Sequence, residues 1–435
     1  MGGRSGWEVR KRSEVINKRL FILLACLFVV TIGLGITQPV LPFYVERLAL
    51  GGGASRQTVA IHLGLITGVF ALGQLLFAPV WGRWSDRTGR RPLLLMGIAG
   101  YAVAQVLFGL ATSLWLLYLA RILGGTLSSS ALPVAAAYVA DMTTEQDRGR
   151  GMASLGTATS LGFVVGPALG GLLARRNLHF AARFWCFMLD SFSIPFFAAA
   201  FLGLLTLYAA MLWLPESLAA PAPRSKEQGT DWRRLARILA PLLGMALVAQ
   251  FALAIFESTF ALYAQAKFRY GPVEVGAVFV VCGLVMTVFQ IGAVGFLAGR
   301  IREISQIGAG FGLIGTSLAL LVVAHTKLSV FAVVGLLALG AAVISPNLAA
   351  LISKRGGSRS VGTALGTQSA ANSLGQAGGP IFGGALFAWH MNAPYLLTAA
   401  LLVIVALAIA WKARNGRTQP ELSNHAGASQ TKAAI

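Results

Sequence analysis

The feature that most constrains the fold of this chain is a series of twelve long apolar stretches. A helix needs about 20 apolar residues to cross the hydrocarbon core of a bilayer, and each stretch is close to that length or longer. Lipid offers the backbone no hydrogen-bond partner, so such stretches form helices. We therefore predict an all-α membrane protein with twelve transmembrane helices, near residues 20–43, 60–81, 92–111, 114–140, 151–173, 191–214, 238–265, 275–298, 304–324, 328–352, 361–388 and 395–411.

The composition supports this interpretation and limits the partners of the chain. Hydrophobic residues make up 56% of the 435 residues and charged residues 11%, whereas a soluble domain has about 25% charged residues. The net charge of +20 could suggest nucleic-acid binding, but 26 of the 35 Lys and Arg residues lie in loops on one side of the spans and 8 on the other. This asymmetry places both termini in the cytoplasm. We expect an integral protein of a bacterial plasma (inner) membrane, in contact with lipid and not with nucleic acid.

No residue pattern in the sequence points to an enzyme or to a bound cofactor. Cys26, Cys186 and Cys282 have no paired spacing, so they predict neither a disulfide framework nor a metal site. The sequence has no Gly-Lys pair and hence no phosphate-binding loop. If the protein is a pump, we expect its energy to come from an ion gradient and not from ATP bound to this chain.

The most polar segment between two spans is the basic segment 82–92, which follows the second span. Its Gly89 permits a tight reversal of the chain, and its Pro92 suits the first turn of the next helix. An ordinary cytoplasmic loop accounts for the arginines but not for the spacing of the other residues. We predict a short basic hairpin at the cytoplasmic surface, containing Gly82, Asp86, Arg87, Gly89, Arg90, Arg91 and Pro92.

The two halves of the chain repeat at a constant offset of 213 residues. A glycine- and proline-rich pattern at 161–171 recurs at 374–384, and the same offset relates Pro133 to Pro346. One offset that serves several spans indicates two pseudo-symmetric six-helix bundles, related by an axis along the membrane normal, with a binding site between them at mid-depth. The predicted organisation is an N-terminal segment, a bundle, a central loop, a second bundle and a tail, at residues 1–19, 20–214, 215–237, 238–411 and 412–435.

These motifs together resemble the major facilitator superfamily. The segment 82–92 looks like the signature of the loop between its second and third spans, and Gly162, Gly166, Pro167, Gly170 and Gly171 resemble the antiporter motif of its drug/proton exchangers. The segment 256–263 looks like the seventh span of NorA/Bmr-type multidrug exporters, and the chain also resembles tetracycline exporters. The resemblance implies a proton-coupled antiporter. Close helix packing is the alternative explanation of the glycines.

Glu257 is the one carboxylate that lies well inside a predicted span. It precedes Lys267 by ten residues, which is about 15 Å at helical rise, near the middle of a core about 30 Å thick. An ionised carboxylate is costly at that depth, so a functional role is the default. The resemblance implies proton and substrate binding, although the second acid of those exporters is absent from 341–345. A hydrogen-bonded structural acid is the alternative.

Arg121 is the one basic residue inside a span, where insertion costs at least a few kcal/mol. It matches an Arg-x-x-Gln-Gly pattern of the superfamily at Arg121 and Gly125, with Gly124 in place of the glutamine. The resemblance links such an arginine to proton coupling. Alternatively, Arg121 has a structural role and bonds carbonyls freed near Pro39, with Gln38 as its best polar neighbour.

The resemblance also implies a cytoplasmic gate and a set of cavity residues. It pairs Asp141 with Arg90, and it places Asp86 against the start of the eleventh span near Val361 and Gly362. Polar and aromatic side chains in the spans that should line the cavity are the predicted substrate contacts, although ordinary helix packing explains each one singly. They are Gln38, Tyr44, Phe256, Glu257, Phe260, Gln290, Asn347, Gln368 and Asn372.

We therefore expect a monomeric secondary transporter that exports hydrophobic drug-like compounds, cationic or zwitterionic, in exchange for protons by alternating access. It should need no cofactor beyond the proton gradient. Two other functions remain open at this point. One is proton-coupled export of a native metabolite, lipid or sugar, which a cavity lined by many Asn, Gln and Arg side chains would favour. The other is a receptor or assembly protein that has lost transport.

Overall fold

The computed structural model describes residues 3–143, 147–174, 182–184, 187–189, 191–217, 232–297, 300, 302–356 and 361–415. Within them, thirteen α-helices form the bundle, and a 3₁₀ turn at Ser128–Ser130 joins α4 to α5. The helices are α1 (Gly3–Gly51), α2 (Arg56–Thr88), α3 (Arg90–Gly109), α4 (Leu114–Leu127), α5 (Ala131–Met142), α6 (Arg148–Leu173), α7 (Ile194–Trp213), α8 (Trp232–Phe268), α9 (Pro272–Leu297), α10 (Glu303–Val323), α11 (Lys327–Gly356), α12 (Val361–Trp389) and α13 (Ala393–Asn415).

The twelve predicted spans correspond to these helices, with α4 and α5 together forming the fourth span. Eleven segments of the described chain are long and apolar enough to cross a membrane. The helix α12 is not among them because Ser, Asn, Gln and Gly residues lower its hydropathy. The all-α fold is confirmed, and one short antiparallel pair of strands, β1 (Ala182–Phe184) and β2 (Phe187–Leu189), lies before α7.

Several helices are longer than the apolar stretches that predicted them. The helix α1 begins at Gly3 and α8 begins at Trp232, so both extend beyond the predicted spans. The predicted domain boundaries stay a prediction. The buried apolar side chains form three clusters, of which two lie mainly in α1–α7 and one mainly in α8–α13. We call these two groups of helices the N-terminal half and the C-terminal half.

Within each half, the repeated glycine motif brings two helix backbones into contact. On α6, a Cβ at Gly166 would lie 2.4 Å from the Ile32 carbonyl oxygen of α1. On α12, a Cβ at Gly379 would lie 2.7 Å from the Phe251 carbonyl oxygen of α8. No side chain fits at such distances, and the absence of one allows the helices to pack closely. Close helix packing is therefore part of the role of the motif in both copies.

The last glycine of each motif faces the other half of the molecule. A Cβ at Gly171 would lie 2.7 Å from the Pro272 carbonyl oxygen of α9, and one at Gly384 would lie 2.4 Å from the Ala60 carbonyl oxygen of α2. A hydrogen bond of 2.7 Å from Gln265 to Glu46 also joins the halves. These contacts lie at the end of the bundle opposite the basic hairpin, which we call the far end. The contacts between α2 and α12 and between α6 and α9 seal that end.

At the other end, which we call the basic end, α2, α6 and α12 are less closely packed. Cβ atoms at Gly82, Gly156 and Gly366 would meet no described atom within 4 Å. These glycines lie on α2, α6 and α12, the helices that touch across the halves at the far end. The space between the halves is therefore closed toward the far end and open toward the basic end.

This packing predicts the effect of adding one methyl group to the far-end seal. In Gly64→Ala, the new Cβ would lie 2.3 Å from the Pro380 carbonyl oxygen. Overpacking typically costs about 1–3 kcal/mol, and only the far-end-closed state would carry that cost. We expect the ratio of far-end-open to far-end-closed molecules to rise about five- to 150-fold.

Electron-paramagnetic distance measurements between spin labels at Leu50→Cys and Thr326→Cys, with the native cysteines replaced, would detect this change. The matched control is Gly366→Ala, because nothing lies within 4 Å of the added methyl group. Equal distance distributions in Gly64→Ala and the control would show that the crossing of α2 and α12 is not a seal.

Candidate functional site

A cavity of about 340 Å³ lies between the two halves. Its volume falls at the lower end of the range of about 300–1,000 Å³ that holds drug-sized ligands. Both halves contribute, through α1, α2, α4, α5, α6, α8 and α12. The described lining is Leu27, Val30, Thr31, Leu34, Thr37, Gln38, Leu41, Pro42, Leu63, Thr67, Phe70, Ala71, Gln74, Arg121, Ser128, Ser129, Ala131, Leu132, Thr159, Phe163, Ala254, Glu257, Ser258, Gln376 and Pro380.

The polar groups of this lining fall into two classes. Most hydroxyl groups donate to a carbonyl of their own helix, as Thr31 does to Leu27 over 2.9 Å and Ser258 does to Ile255 over 3.1 Å. The amides of Gln38, Gln74 and Gln376 form no hydrogen bond within the described part of the chain. The wall is thus mainly apolar, with three amides available to a ligand.

Arg121 lies on α4 in the N-terminal wall of this cavity. Its guanidinium carbon is 5.0 Å from the ring centre of Phe70 and 5.2 Å from that of Phe108, within the range of cation–π attraction. The side chain is 8% exposed, and its buried Nε has no hydrogen-bond partner. Among the described residues it bonds neither Gln38 nor a carbonyl near Pro39. The predicted structural role at Pro39 is therefore wrong for this structure.

Glu257 lies on α8, half-buried, in the C-terminal wall of the same cavity. A hydrogen bond of 3.0 Å between Thr259 and Tyr395 ties this part of α8 to α13. Phe256 and Phe260 do not line the cavity with Glu257, which corrects their prediction as substrate contacts. They are fully buried, and both pack against Phe279 of α9 with ring centres 6.2 and 5.9 Å away.

Tyr44 and Asn347, two other predicted substrate contacts, are buried and hydrogen-bonded elsewhere. The Tyr44 hydroxyl is near the carbonyl oxygens of Phe108 and Ala111, at 3.0 and 2.7 Å, and it satisfies the end of α3. The Asn347 amide donates to Gln306 over 3.1 Å and to the Val343 carbonyl over 2.8 Å. Neither side chain is available to a ligand in this state.

The remaining predictions also lie away from the central cavity. Gln290 is exposed on α9, and Gln368 and Asn372 line a separate small pocket between α8, α10, α11 and α12. Of the nine predicted substrate contacts, the structure brings Gln38 and Glu257 together in the central cavity. Gln74 and Gln376 line the cavity although the sequence did not predict them. An amide inside an otherwise apolar span was the available signal for Gln74, whereas Gln376 is one of many polar residues on α12.

The basic hairpin is tighter than the sequence predicts. The helix α2 continues through Thr88, α3 begins at Arg90, and Gly89 alone forms the connection. Gly89 has φ +103°, a conformation that favours glycine. Pro92 lies at the third position of α3, in the first turn as predicted.

Arg90 is the centre of the polar contacts at this hairpin. Its guanidinium donates to Asp141 over 3.0 Å and to the Ser85 hydroxyl over 2.7 Å, and it also pairs with Asp86. The structure thus contains the Arg90–Asp141 pair that the resemblance implies. The Asp86 side chain is 62% exposed. Its expected contact near Val361 and Gly362, at the start of α12, stays a prediction.

Glu216, which follows α7, holds the first turn of α3. Its carboxylate accepts hydrogen bonds from the backbone N–H groups of Arg90 and Arg91, at 2.8 and 3.1 Å. A carboxylate at a helix N-terminus satisfies free donors and interacts favourably with the helix dipole. The Arg91 side chain donates to the Met211 carbonyl over 2.6 Å. The hairpin is therefore fixed to α7 within the N-terminal half.

Two six-helix halves around a cavity that opens at one end define a membrane transporter. The sequence matches the profile described as the Major Facilitator Superfamily over residues 23–366 and 293–434, and the chain belongs to this superfamily. It is 32% identical to Multidrug resistance protein 1 of Bacillus subtilis (strain 168) over 406 residues, which cover 92% of this chain and 98% of the relative. It is 25% identical to Quinolone resistance protein NorA of Staphylococcus aureus over 412 residues, which cover 93% of this chain and 100% of the relative.

Solved transporters share the fold at low sequence identity. A bacterial homologue of the human lysosomal transporter Spinster, in an inward-facing and occupied conformation, aligns with a TM-score of 0.70 at 16% identity and covers 93% of this chain and 97% of its own. A POT family transporter in complex with 5-aminolevulinic acid aligns with a TM-score of 0.73 at 13% identity and covers 91% and 96%. At these identities the likeness shows the fold alone.

The contacts of Glu216 predict that it contributes to stability. In Glu216→Ala the first turn of α3 loses a cap, which typically costs about 0.5–2 kcal/mol. Glu216→Gln keeps an acceptor oxygen but loses the charge, so it should lose less. Thermal unfolding of the purified protein in detergent would rank the melting temperatures as wild type, Glu216→Gln, Glu216→Ala. If Glu216→Ala melts at the wild-type temperature, the cap contributes nothing measurable.

Proposed function

We propose that this protein is a proton-coupled exporter of hydrophobic drug-like compounds that works by alternating access. The similarity to multidrug and quinolone resistance proteins along nearly the whole chain supports this function. The central observation is the cavity itself, which is mainly apolar, includes Phe70 and Phe163, and contains Glu257. Such a wall suits an amphipathic organic compound better than a sugar, which needs many hydrogen bonds.

Glu257 carries the transported proton in this proposal. The cavity is largely enclosed by apolar groups, where an ionised carboxylate without a partner is costly. A proton or a cationic substrate can each neutralise that charge, and both cannot do so at once. Competition for one carboxylate therefore couples export of the substrate to entry of the proton. No second acid appears among the described lining residues, so one carboxylate suffices for this exchange.

Arg121 contributes to coupling through its permanent charge. A guanidinium stays protonated under physiological conditions, and it shares the cavity with Glu257. Its positive charge favours the ionised form of Glu257 and so assists release of the proton to the side on which the cavity is open. Arg121 acts here by electrostatics at a distance, because the two side chains form no ion pair within the described part of the chain.

The basic end faces the cytoplasm in this proposal, with both termini on that side of a bacterial plasma membrane. The excess of Lys and Arg in its loops supports that orientation. The described state is then inward-open and accepts substrate from the cytoplasm. The basic hairpin acts as the gate: when the halves meet at this end, Asp86 docks at the N-terminus of α12, where free N–H groups stabilise a carboxylate. The chain works as a monomer and has no enzymatic activity.

The proposed proton carrier predicts a specific defect in Glu257→Gln. The amide keeps the size and polarity of the side chain but cannot exchange a proton, so export driven by a proton gradient should stop. Efflux of a dye such as ethidium from proteoliposomes with an imposed pH gradient measures this. Glu274→Gln is the control, because Glu274 caps the start of α9 through the Gly271 N–H over 3.0 Å and lies outside the cavity. Uphill export by Glu257→Gln at the wild-type rate would contradict the assignment.

A further inference from the structure

The guanidinium of Arg121 offers hydrogen-bond donors that no described protein group uses. The side chain lies in the wall of the central cavity, is nine-tenths buried, and has a fully buried Nε without a partner. Within the described part of the chain, neither a carboxylate nor a carbonyl binds its terminal nitrogens. Buried guanidinium groups are normally paired, so an unpaired one in a cavity wall indicates a ligand that completes it.

Aromatic rings hold this guanidinium in place without using its hydrogen bonds. Phe70 and Phe108 lie against it, as described above, and Phe108 is itself stacked on Phe196 with ring centres 5.0 Å apart. The backbone of Phe108 is fixed by the Tyr44 hydroxyl over 3.0 Å. The rings orient the group through its π-electron contacts and leave its N–H edge unbonded. Tyr44, predicted as a substrate contact, therefore acts as a positioning residue for Arg121.

The cavity carries one charge of each sign on opposite halves of the molecule. Arg121 is the one cation and Glu257 the one carboxylate among its described lining residues. Because the two side chains form no ion pair, a gap separates them. A planar guanidinium matches the two oxygens of a carboxylate, and Glu257 matches a protonated amine.

We propose that Arg121 is an oxyanion-binding subsite and that the cavity therefore accepts amphipathic zwitterions, with the substrate carboxylate on Arg121 and its ammonium group on Glu257. This inference rests on the proposed function, because it names a substrate class for the same cavity. It also separates two kinds of substrate. A cationic compound uses Glu257 alone, whereas a zwitterion uses both ends of the cavity.

The test compares a compound that carries a carboxylate and a basic amine with its own methyl ester, which lacks the anion. A piperazinyl quinolone acid and its ester are suitable probes. Binding to the purified full-length protein in detergent is measured by isothermal titration calorimetry, which requires no proton gradient. In Arg121→Gln we expect the dissociation constant of the acid to rise about tenfold or more and that of the ester to change less than about twofold. Arg121→Lys keeps the positive charge but not the planar guanidinium, so it should give an intermediate loss of affinity for the acid.

Lys267→Gln is the control, because Lys267 also lies over aromatic rings, those of Tyr263 and Phe268, but outside the cavity. It should leave binding of both probes at the wild-type level. If Arg121→Gln does not fold, Arg121→Lys provides the comparison between acid and ester. Equal losses for acid and ester, or no loss for the acid, would overturn the subsite. If the wild type binds the ester but not the acid, the oxyanion subsite is wrong and the proposed function still stands. If the wild type binds neither probe, the proposed function is wrong.

Discussion

The close contact of helix backbones at glycine is the interaction on which the rest of this structure depends. In each half, the glycine motif of one helix lies directly against a neighbouring helix, so the two helices pack closely. The last glycine of each motif, Gly171 or Gly384, makes the same kind of contact across the halves. One sequence pattern thus forms both the rigid halves and the seal between them. The cavity exists because the seal closes one end while the other end stays apart.

The sequence predicts the helices and their pairing well because the membrane imposes strong rules on both. Length and hydropathy define the spans, and the offset of 213 residues defines the two-fold repeat. The depth of Glu257 follows from helical rise, and the structure indeed has this residue in the cavity wall. These properties depend on distance along the chain, and distance along a helix can be calculated without a structure.

The direction in which a side chain points is harder to predict in a membrane protein. Lipid and protein neighbours are both apolar, so hydropathy does not distinguish the face of a helix toward the cavity from its other faces. Phe256 and Phe260 lie within a turn of Glu257, yet they pack against Phe279 of α9. Tyr44 has a polar tip, but backbone carbonyls satisfy it. Glu216 was equally inaccessible to prediction, because it binds a helix end more than a hundred residues earlier in the chain.

The proposed exchange at Glu257 has an electrical consequence, because the described lining of the cavity contains one acid and one guanidinium. A monovalent cation exchanged for one proton at Glu257 moves no net charge across the membrane, so the membrane potential does no work on that cycle. A zwitterion exchanged for one proton moves one elementary charge, and a potential of 100 mV then contributes about 2.3 kcal/mol to each cycle. Two compounds that differ by a single carboxylate would therefore differ in the voltage dependence of their export, although the same cavity binds them.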